Sequence, residues 1–357
     1  MNGSGSNILW LEDLLEEARK NIQVSPEELA EAKTRRYKIT AALKKAFPSS
    51  RGYVNGSVAH GDALTPLTDV DVGVVVKGAE ETHGPGMKGP TDLKEQAADA
   101  LRRELKGDYP KLVVIVEGQK RSILVRFGDP VTKGQADFTA DVIVAVENVD
   151  DDGLYIPRFD CWERSHPEKH TELILQAIED SDVVYARVVR LLKHWNRSND
   201  KPLCSWNIKA LALACITEPM ALLRGLQVWF QYAEEQLTVG ETEDPAKVAP
   251  KPIKMNKPKT VVLRTIKDAR EHLALAVEME KAGYHALAHD ELAKVFNDET
   301  MLPKPGRMAV DADARRLALE KAAEKGQHRK PSAFPGLGLG LGLGATKPAI
   351  PVRSWAP

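Results

Sequence analysis

Residues 56–71 read GSVAHGDALTPLTDVD and lead directly into the apolar stretch VGVVV at 72–76. A Gly-Ser pair thus precedes two aspartates, Asp69 and Asp71, at the start of a predicted strand. Because alternate residues of a strand point to the same side, both carboxylates project from one face. Adjacent carboxylates repel each other unless a cation lies between them, and Mg²⁺ binds such oxygen ligands together with water and substrate phosphates. Backbone N–H groups at Gly56 and the hydroxyl of Ser57 can bind a phosphate chain. The stretch predicts a metal-dependent site for a nucleoside triphosphate.

The composition is that of a soluble globular protein with room for two domains. The chain has 357 residues, of which 43% are hydrophobic and 28% charged, and its formal net charge is −1. Near-neutral charge argues against strong nucleic-acid binding, which usually needs a basic excess. No stretch reaches the roughly 18 apolar residues of a membrane helix. The polar segment 1–6 and three cysteines, an odd number, favour a cytoplasmic protein with reduced thiols.

Strand patterns cluster in the first half of the chain and helical patterns dominate the second half. Predicted strands lie at 53–54, 70–76, 112–116, 122–127 and 137–146. Predicted helices lie at 7–21, 25–47, 91–105, from 167, and at 182–196, 203–237 (broken near Pro219), 260–282, 284–297 and 309–325. This order predicts an α+β (mixed α/β) fold with a catalytic half at 1–165 and a helical domain at 166–325. The Gly/Leu/Pro-rich segment 326–357 is expected to be a flexible tail.

A third carboxylate is expected on a neighbouring strand, because a two-metal site that acts on a phosphate group needs a further ligand or base. Asp137 and Asp141 are the candidates, four residues apart and therefore on one face of the predicted strand. Asp141 is favoured because it leads directly into the apolar run at 142–144.

The helical half should supply further ligands for the triphosphate. Lys193 lies beside the apolar stripe of its predicted helix, where it can face a cleft between the two halves. Ser205 lies at the start of the next predicted helix, a position that suits an N-cap and also a phosphate ligand.

Three segments carry a resemblance to a known family: 56–75, 166–205 with its LLKHWN motif, and 244–258. The first resembles the signature of the polymerase-β-type nucleotidyltransferase superfamily. Together they resemble the bacterial relatives of cyclic GMP-AMP synthase and oligoadenylate synthetase. These are the cyclic-oligonucleotide synthases (CD-NTases) of anti-phage CBASS signalling. The resemblance implies a polymerase-β-type core with a mixed twisted sheet, packed on an oligoadenylate-synthetase-like helical domain.

The resemblance also implies an activity and a set of ligands. Two Mg²⁺ ions, with Mn²⁺ as a substitute, would be held by Asp69, Asp71 and Asp141. The nucleoside triphosphate (ATP, GTP or a pyrimidine nucleotide) would be bound by Gly56, Ser57, Lys193 and Ser205. The triphosphates would be condensed into a cyclic di- or oligonucleotide with release of pyrophosphate. An operon-encoded regulator or effector is a further expected partner.

One departure from the family pattern concerns the residue after the second glycine of the turn, which is often threonine and here is Asp62. A carboxylate beside the triphosphate would repel it unless it points away.

Two other functions stay open. One is nucleotide transfer onto a macromolecule, tRNA or protein, for which the Lys-rich stretch 247–267 is the one candidate channel. The other is a nucleotide-binding protein that has lost catalysis, against which the intact aspartates speak.

Overall fold

The structure is a computed structural model that describes residues 10–131, 134–249 and 251–327. The chain divides into two compact units, residues Met1–Asp313 and Ala314–Pro357. The division predicted at residue 165 stays a prediction. Most of the predicted tail, including its Gly-Leu repeat, lies outside the described residues.

A seven-stranded mixed sheet forms the first layer of the larger unit. The strands are β1 (Arg51–Tyr53), β2 (Asp69–Val75), β3 (Val113–Ile115), β4 (Ile123–Arg126), β5 (Thr139–Glu147), β6 (Leu154–Arg158) and β7 (Cys161–Ser165). They lie in the order β1-β2-β5-β4-β3, while β6 continues from the far end of β5 and pairs with β7. Strands β2 and β5 are parallel, and all other pairs are antiparallel. The predicted mixed α/β class is confirmed.

Twelve helices accompany the sheet in the described ranges. They are α1 (Trp10–Asn21), α2 (Pro26–Ala46), α3 (Gly56–Ala59), α4 (Glu80–His83), α5 (Pro90–Leu105), α6 (Pro167–Asp180), α7 (Val184–Ser198), α8 (Ser205–Cys215), α9 (Leu222–Val239), α10 (Lys259–Lys281), α11 (His285–Phe296) and α12 (Arg307–Gln327). Helix α2 begins with a capping box in which Ser25 and Glu28 each bind the other's backbone N–H. The break predicted near Pro219 is confirmed, since α8 ends at Cys215 and α9 begins at Leu222.

Two hydrophobic clusters lie on either side of the site described below. One joins the inner face of the sheet to α2 and α5, with Val72, Val142 and Leu101 almost fully buried. The other joins α6 to α11 around Trp195 and Trp229. The buried side chains of α1 belong to this second cluster, so the first helix packs with the helical half.

Strands β6 and β7 were not predicted from the sequence. Pro157 interrupts β6, and every residue of β7 except exposed Cys161 is half-buried, so neither strand shows a simple alternation. Across the described ranges, no helix has both the length and the apolar character needed to cross a membrane.

Candidate active site

The parallel pairing of β2 with β5 places the predicted carboxylates side by side. Asp71 is the register partner of Asp141, and Asp69 is the partner of Thr139. Partners on adjacent strands lie about 4.8 Å apart and face the same side of the sheet. Asp69 and Asp71 share that face because they are two residues apart. The sheet therefore brings three carboxylates to one surface.

These carboxylates open into a cavity of about 880 Å³ between the sheet and the helical cluster. Its lining contains all seven predicted site residues: Gly56, Ser57, Asp69, Asp71, Asp141, Lys193 and Ser205. Asp137 lies just before β5, where it accepts a hydrogen bond from the backbone N–H of Asp129, and it does not line the cavity. The preference for Asp141 over Asp137 thus agrees with their placement.

The Gly-Ser turn packs directly against a carboxylate. Gly56 has φ +84°, a left-handed conformation that side chains disfavour. A Cβ at this position would overlap Asp71 Oδ2 and lie 2.6 Å from Asp71 Cβ. Both the backbone angle and the close approach therefore require glycine at position 56.

The three carboxylates are electrostatically unfavourable in the bare protein. Burial, followed by the charges of Asp69 and Asp141, raises the pKa of Asp71 to about 6. Burial also raises the pKa of Asp69, which Lys193 partly offsets and Asp141 reinforces. The hydroxyl of Ser122 fixes Asp141 by donating a 2.8 Å hydrogen bond to its Oδ1. Sequence reasoning missed Ser122, whose role depends on the pairing of β4 with β5.

This donor set fits hard divalent cations. A cation between the carboxylates would remove the repulsion that raises the pKa of Asp71. In the described ranges, no group of three or more Asp, Glu, His or Cys side chains is placed so that it could hold a metal ion by itself. Mg²⁺ does not need such a group, since it binds through one or two carboxylates and completes its shell with water and substrate phosphates.

Comparison with solved structures identifies the architecture. The chain matches CdnC of Escherichia coli, solved in a CdnC:HORMA-deltaN complex, with a TM-score of 0.60 and 16% identity over 83% of this chain and 98% of that one. It also matches the CD-NTase CdnG of Bradyrhizobium diazoefficiens in complex with GTP (TM-score 0.58, 14% identity, 85% of this chain and 98% of that one). The chain has the CD-NTase fold.

A third match is DncV of Vibrio cholerae, a cyclic AMP-GMP synthase, with a TM-score of 0.52 and 13% identity over 81% of this chain and 86% of that one. No family model matches the sequence, and neither does any curated protein sequence. The predicted resemblance to CD-NTases is thus confirmed at the level of the fold.

Within this CD-NTase fold, Lys193 reaches the cavity from α7, and its ammonium group already has a partner in the protein. Its Nζ lies 2.7 Å from Asp62 Oδ1 and 2.9 Å from the backbone oxygen of Asp62. Asp62 is fully buried and also forms a 2.7 Å ion pair with Lys209 of α8. Burial raises the pKa of Asp62, but the charges of Lys209 and Lys193 outweigh this effect and hold it below its ordinary value. The unusual aspartate therefore faces two lysines, and its side chain does not line the cavity.

Ser205 is the first residue of α8 and is exposed to the cavity. The N-cap lies one residue earlier than predicted, at Cys204, which makes no side-chain capping bond. Asn196 fixes the preceding loop, because its side chain bonds both the N–H and the oxygen of Leu203. The side chain of Asn256 donates to the same oxygen, so the third resemblance segment also supports this loop.

An aromatic surface lines the cavity next to Ser205. The rings of Trp206 and His170 lie 4.5 Å apart between centroids. His170 Nε2 lies 2.6 Å from Oδ1 of Asp244, whose other oxygen accepts the backbone N–H groups of Val248 and Ala249. The contact between His170 and Asp244 was not predicted from the sequence, since the two residues are 74 positions apart.

Proposed function

We propose that the protein is a metal-dependent nucleotidyltransferase that condenses nucleoside triphosphates into a cyclic di- or oligonucleotide. The observation that carries this proposal is the placement of Asp69, Asp71 and Asp141 on one face of two parallel strands, opposite Lys193 and Ser205 across one cavity. The CD-NTase fold supports it, because the neighbours include a cyclic AMP-GMP synthase and a protein solved with GTP. By the same analogy we place the product in anti-phage (CBASS) signalling in the cytoplasm.

The carboxylates would hold two Mg²⁺ ions, or Mn²⁺ in their place. When bound, such ions lower the pKa of an attacking ribose hydroxyl and neutralise the leaving pyrophosphate. Ser122 orients Asp141 through its 2.8 Å hydrogen bond. Ser57, Lys193 and Ser205 contribute hydroxyl and ammonium donors for the phosphates.

The remaining lining suits a nucleotide. The cavity has three carboxylates on its sheet side, and Lys193, Arg197, Lys201 and Lys209 on its helical side. This separation of charge matches a triphosphate that carries metal ions at one end. The planar ring of Trp206 offers a stacking surface for a base. A regulator protein is a further candidate partner, in analogy to the CdnC:HORMA-deltaN complex.

The test is incubation of purified protein with radiolabelled ATP, GTP, CTP and UTP and either Mg²⁺ or Mn²⁺. The control is the Asp69→Ala/Asp71→Ala double variant. We expect a small product that resists phosphatase, is absent with the variant and disappears when the metal is chelated. Chromatography and mass spectrometry then identify its bases and ring size.

Two other outcomes would redirect the proposal. Label that appears on added tRNA or protein, and not in a small product, would favour transfer to a macromolecule. Binding of nucleotides without any product, in the presence of either metal and of cell extract as a source of activator, would favour a catalytically silent protein.

A further inference from the structure

A buried polar cluster lies beside the cavity, on the side formed by α7 and α8. Its centre is Asp62, whose side chain is fully buried. Lys193 contacts one carboxylate oxygen and Lys209 the other, each at 2.7 Å. One negative charge thus lies between two positive charges contributed by two different helices, and the cluster has a net charge of +1.

The cluster extends to the Gly-Ser turn through a histidine. Lys209 Nζ lies 2.8 Å from His60 Nδ1, and His60 Nε2 lies 3.1 Å from Thr171 Oγ1. Thr171 donates in turn to the backbone oxygen of Val54, two residues before Gly56. An ammonium group only donates, so Nδ1 of His60 accepts and Nε2 carries the proton. Burial and then the charge of Lys209 lower the pKa of His60 to about 3, which keeps the ring neutral.

Each lysine has a donor to spare after these contacts. An ammonium group carries three N–H bonds. Lys193 directs two of them at Asp62, whereas Lys209 directs one at His60 and contacts Asp62 Oδ2 as an ion pair without a hydrogen bond. Both lysines line the cavity, whereas Asp62 does not. The cavity is therefore exposed to the cations of the cluster and screened from its anion.

We propose that Lys209 is a second ammonium ligand of the substrate triphosphate, and that Asp62 is the positioning residue that holds Lys209 and Lys193 in place for it. The inference deepens the proposed function and rests on it for the identity of the ligand. Asp62 acts by fixing two flexible side chains before the substrate arrives, which removes part of the ordering cost of binding. It also supplies the counter-charge without which two buried ammonium groups would repel each other.

The test measures binding of inorganic tripolyphosphate, with Mg²⁺, to the full chain by calorimetry. The variants are Lys209→Met and Asp62→Asn, and the matched control is Lys169→Met, which removes a lysine ion-paired to Glu172 away from the cavity. We expect the dissociation constant to rise about tenfold to a hundredfold in the first two variants, the range of a lost charge-assisted hydrogen bond. The control should bind as the wild type does.

Three further readouts separate a binding role from a structural one. The melting temperature shows whether each variant folds, and Lys209→Met keeps the test informative where Asp62→Asn fails to fold. Binding of the four nucleosides, which lack phosphates, should not change. Where the wild type forms product, KM for the triphosphates should rise more than kcat falls.

Two results would overturn the inference: tripolyphosphate binding of wild-type strength by folded Lys209→Met, or an equal loss of tripolyphosphate and nucleoside binding. Failure of the proposed function looks different. In that case the wild type forms no product, while the tripolyphosphate titration still reports on Lys209 and Asp62.

Discussion

Replacing Gly56 by alanine tests whether the Gly-Ser turn and the carboxylates form one rigid unit. Two costs follow from the structure. The φ of +84° costs about 1–2 kcal/mol for any residue with a Cβ. The new Cβ would also lie 2.6 Å from Asp71 Cβ, about 0.8 Å short of the 3.4 Å at which ordinary contact begins. Either Asp71 or the turn must move by that distance.

The two costs can be separated with a matched control. Gly78 has a similar φ of +79°, but a Cβ there would meet nothing within 4 Å. Gly78→Ala should therefore lose about 1–2 kcal/mol of unfolding free energy with normal activity. Gly56→Ala should lose at least as much stability and, in addition, about a hundredfold in kcat, because a displacement near 1 Å of a reacting group has effects of that size.

The assays are urea unfolding, followed by circular dichroism, and the rate of pyrophosphate release at saturating nucleotide. Activity of the wild-type level in both alanine variants would refute the reasoning, since it would show that Asp71 tolerates the Cβ without leaving its working position. A loss of activity in Gly78→Ala as large as in Gly56→Ala would refute it too, because backbone strain alone would then explain both.

Three other substitutions have defined expectations. Asp71→Asn should abolish product formation and yet raise the unfolding free energy in EDTA by about 2 kcal/mol at pH 7.5. Because the pKa of Asp71 in the folded protein is raised to about 6, its carboxyl destabilises the fold increasingly as the pH rises through 4–6. Urea titrations should therefore show a much smaller gain at pH 4.5. Ser122→Ala should lower kcat about tenfold without changing the melting temperature, because Asp141 loses its 2.8 Å partner, while Ser122→Thr should retain activity. Asp244→Asn should lower the unfolding free energy by about 2 kcal/mol at pH 7, measured by urea unfolding. Burial raises the pKa of Asp244, but His170 and the loop N–H groups outweigh burial and hold this pKa well below its ordinary value. The loss of stability should therefore shrink below pH 4.

Local spacing predicted much of the site because it depends on strand and helix geometry. Asp69 and Asp71 share a face in any strand, and the apolar run after Asp141 indicated a strand that continues from it. Lys193 lay at the edge of an apolar helical stripe, the position from which it does line the cavity. These placements needed no knowledge of which elements pair.

The rest of the site depends on pairing that spacing does not contain. The Asp71–Asp141 register arises because β2 and β5, 70 residues apart in the chain, are parallel neighbours. Asp62 was expected to repel the triphosphate unless its side chain points away, and the two lysines that it contacts follow it by 131 and 147 positions. Whether a carboxylate near a phosphate site is an obstacle or a support depends on such partners, which the spacing of residues in the sequence does not contain.

The two sides of the cavity therefore differ in how their charges are balanced. On the sheet side, like charges lie together, and burial and repulsion raise the pKa of Asp71 although Lys209 and Lys193 offset part of the effect. On the helical side, Asp62 already lies between Lys193 and Lys209 and leaves a net positive charge toward the cavity. A metal ion alone would satisfy the first side, and a triphosphate alone the second. A metal–triphosphate complex satisfies both, and because the coupling between the two ligands is reciprocal, each should strengthen binding of the other. If the proposed function holds, the site would sacrifice stability at its carboxylates to favour the complex over either component.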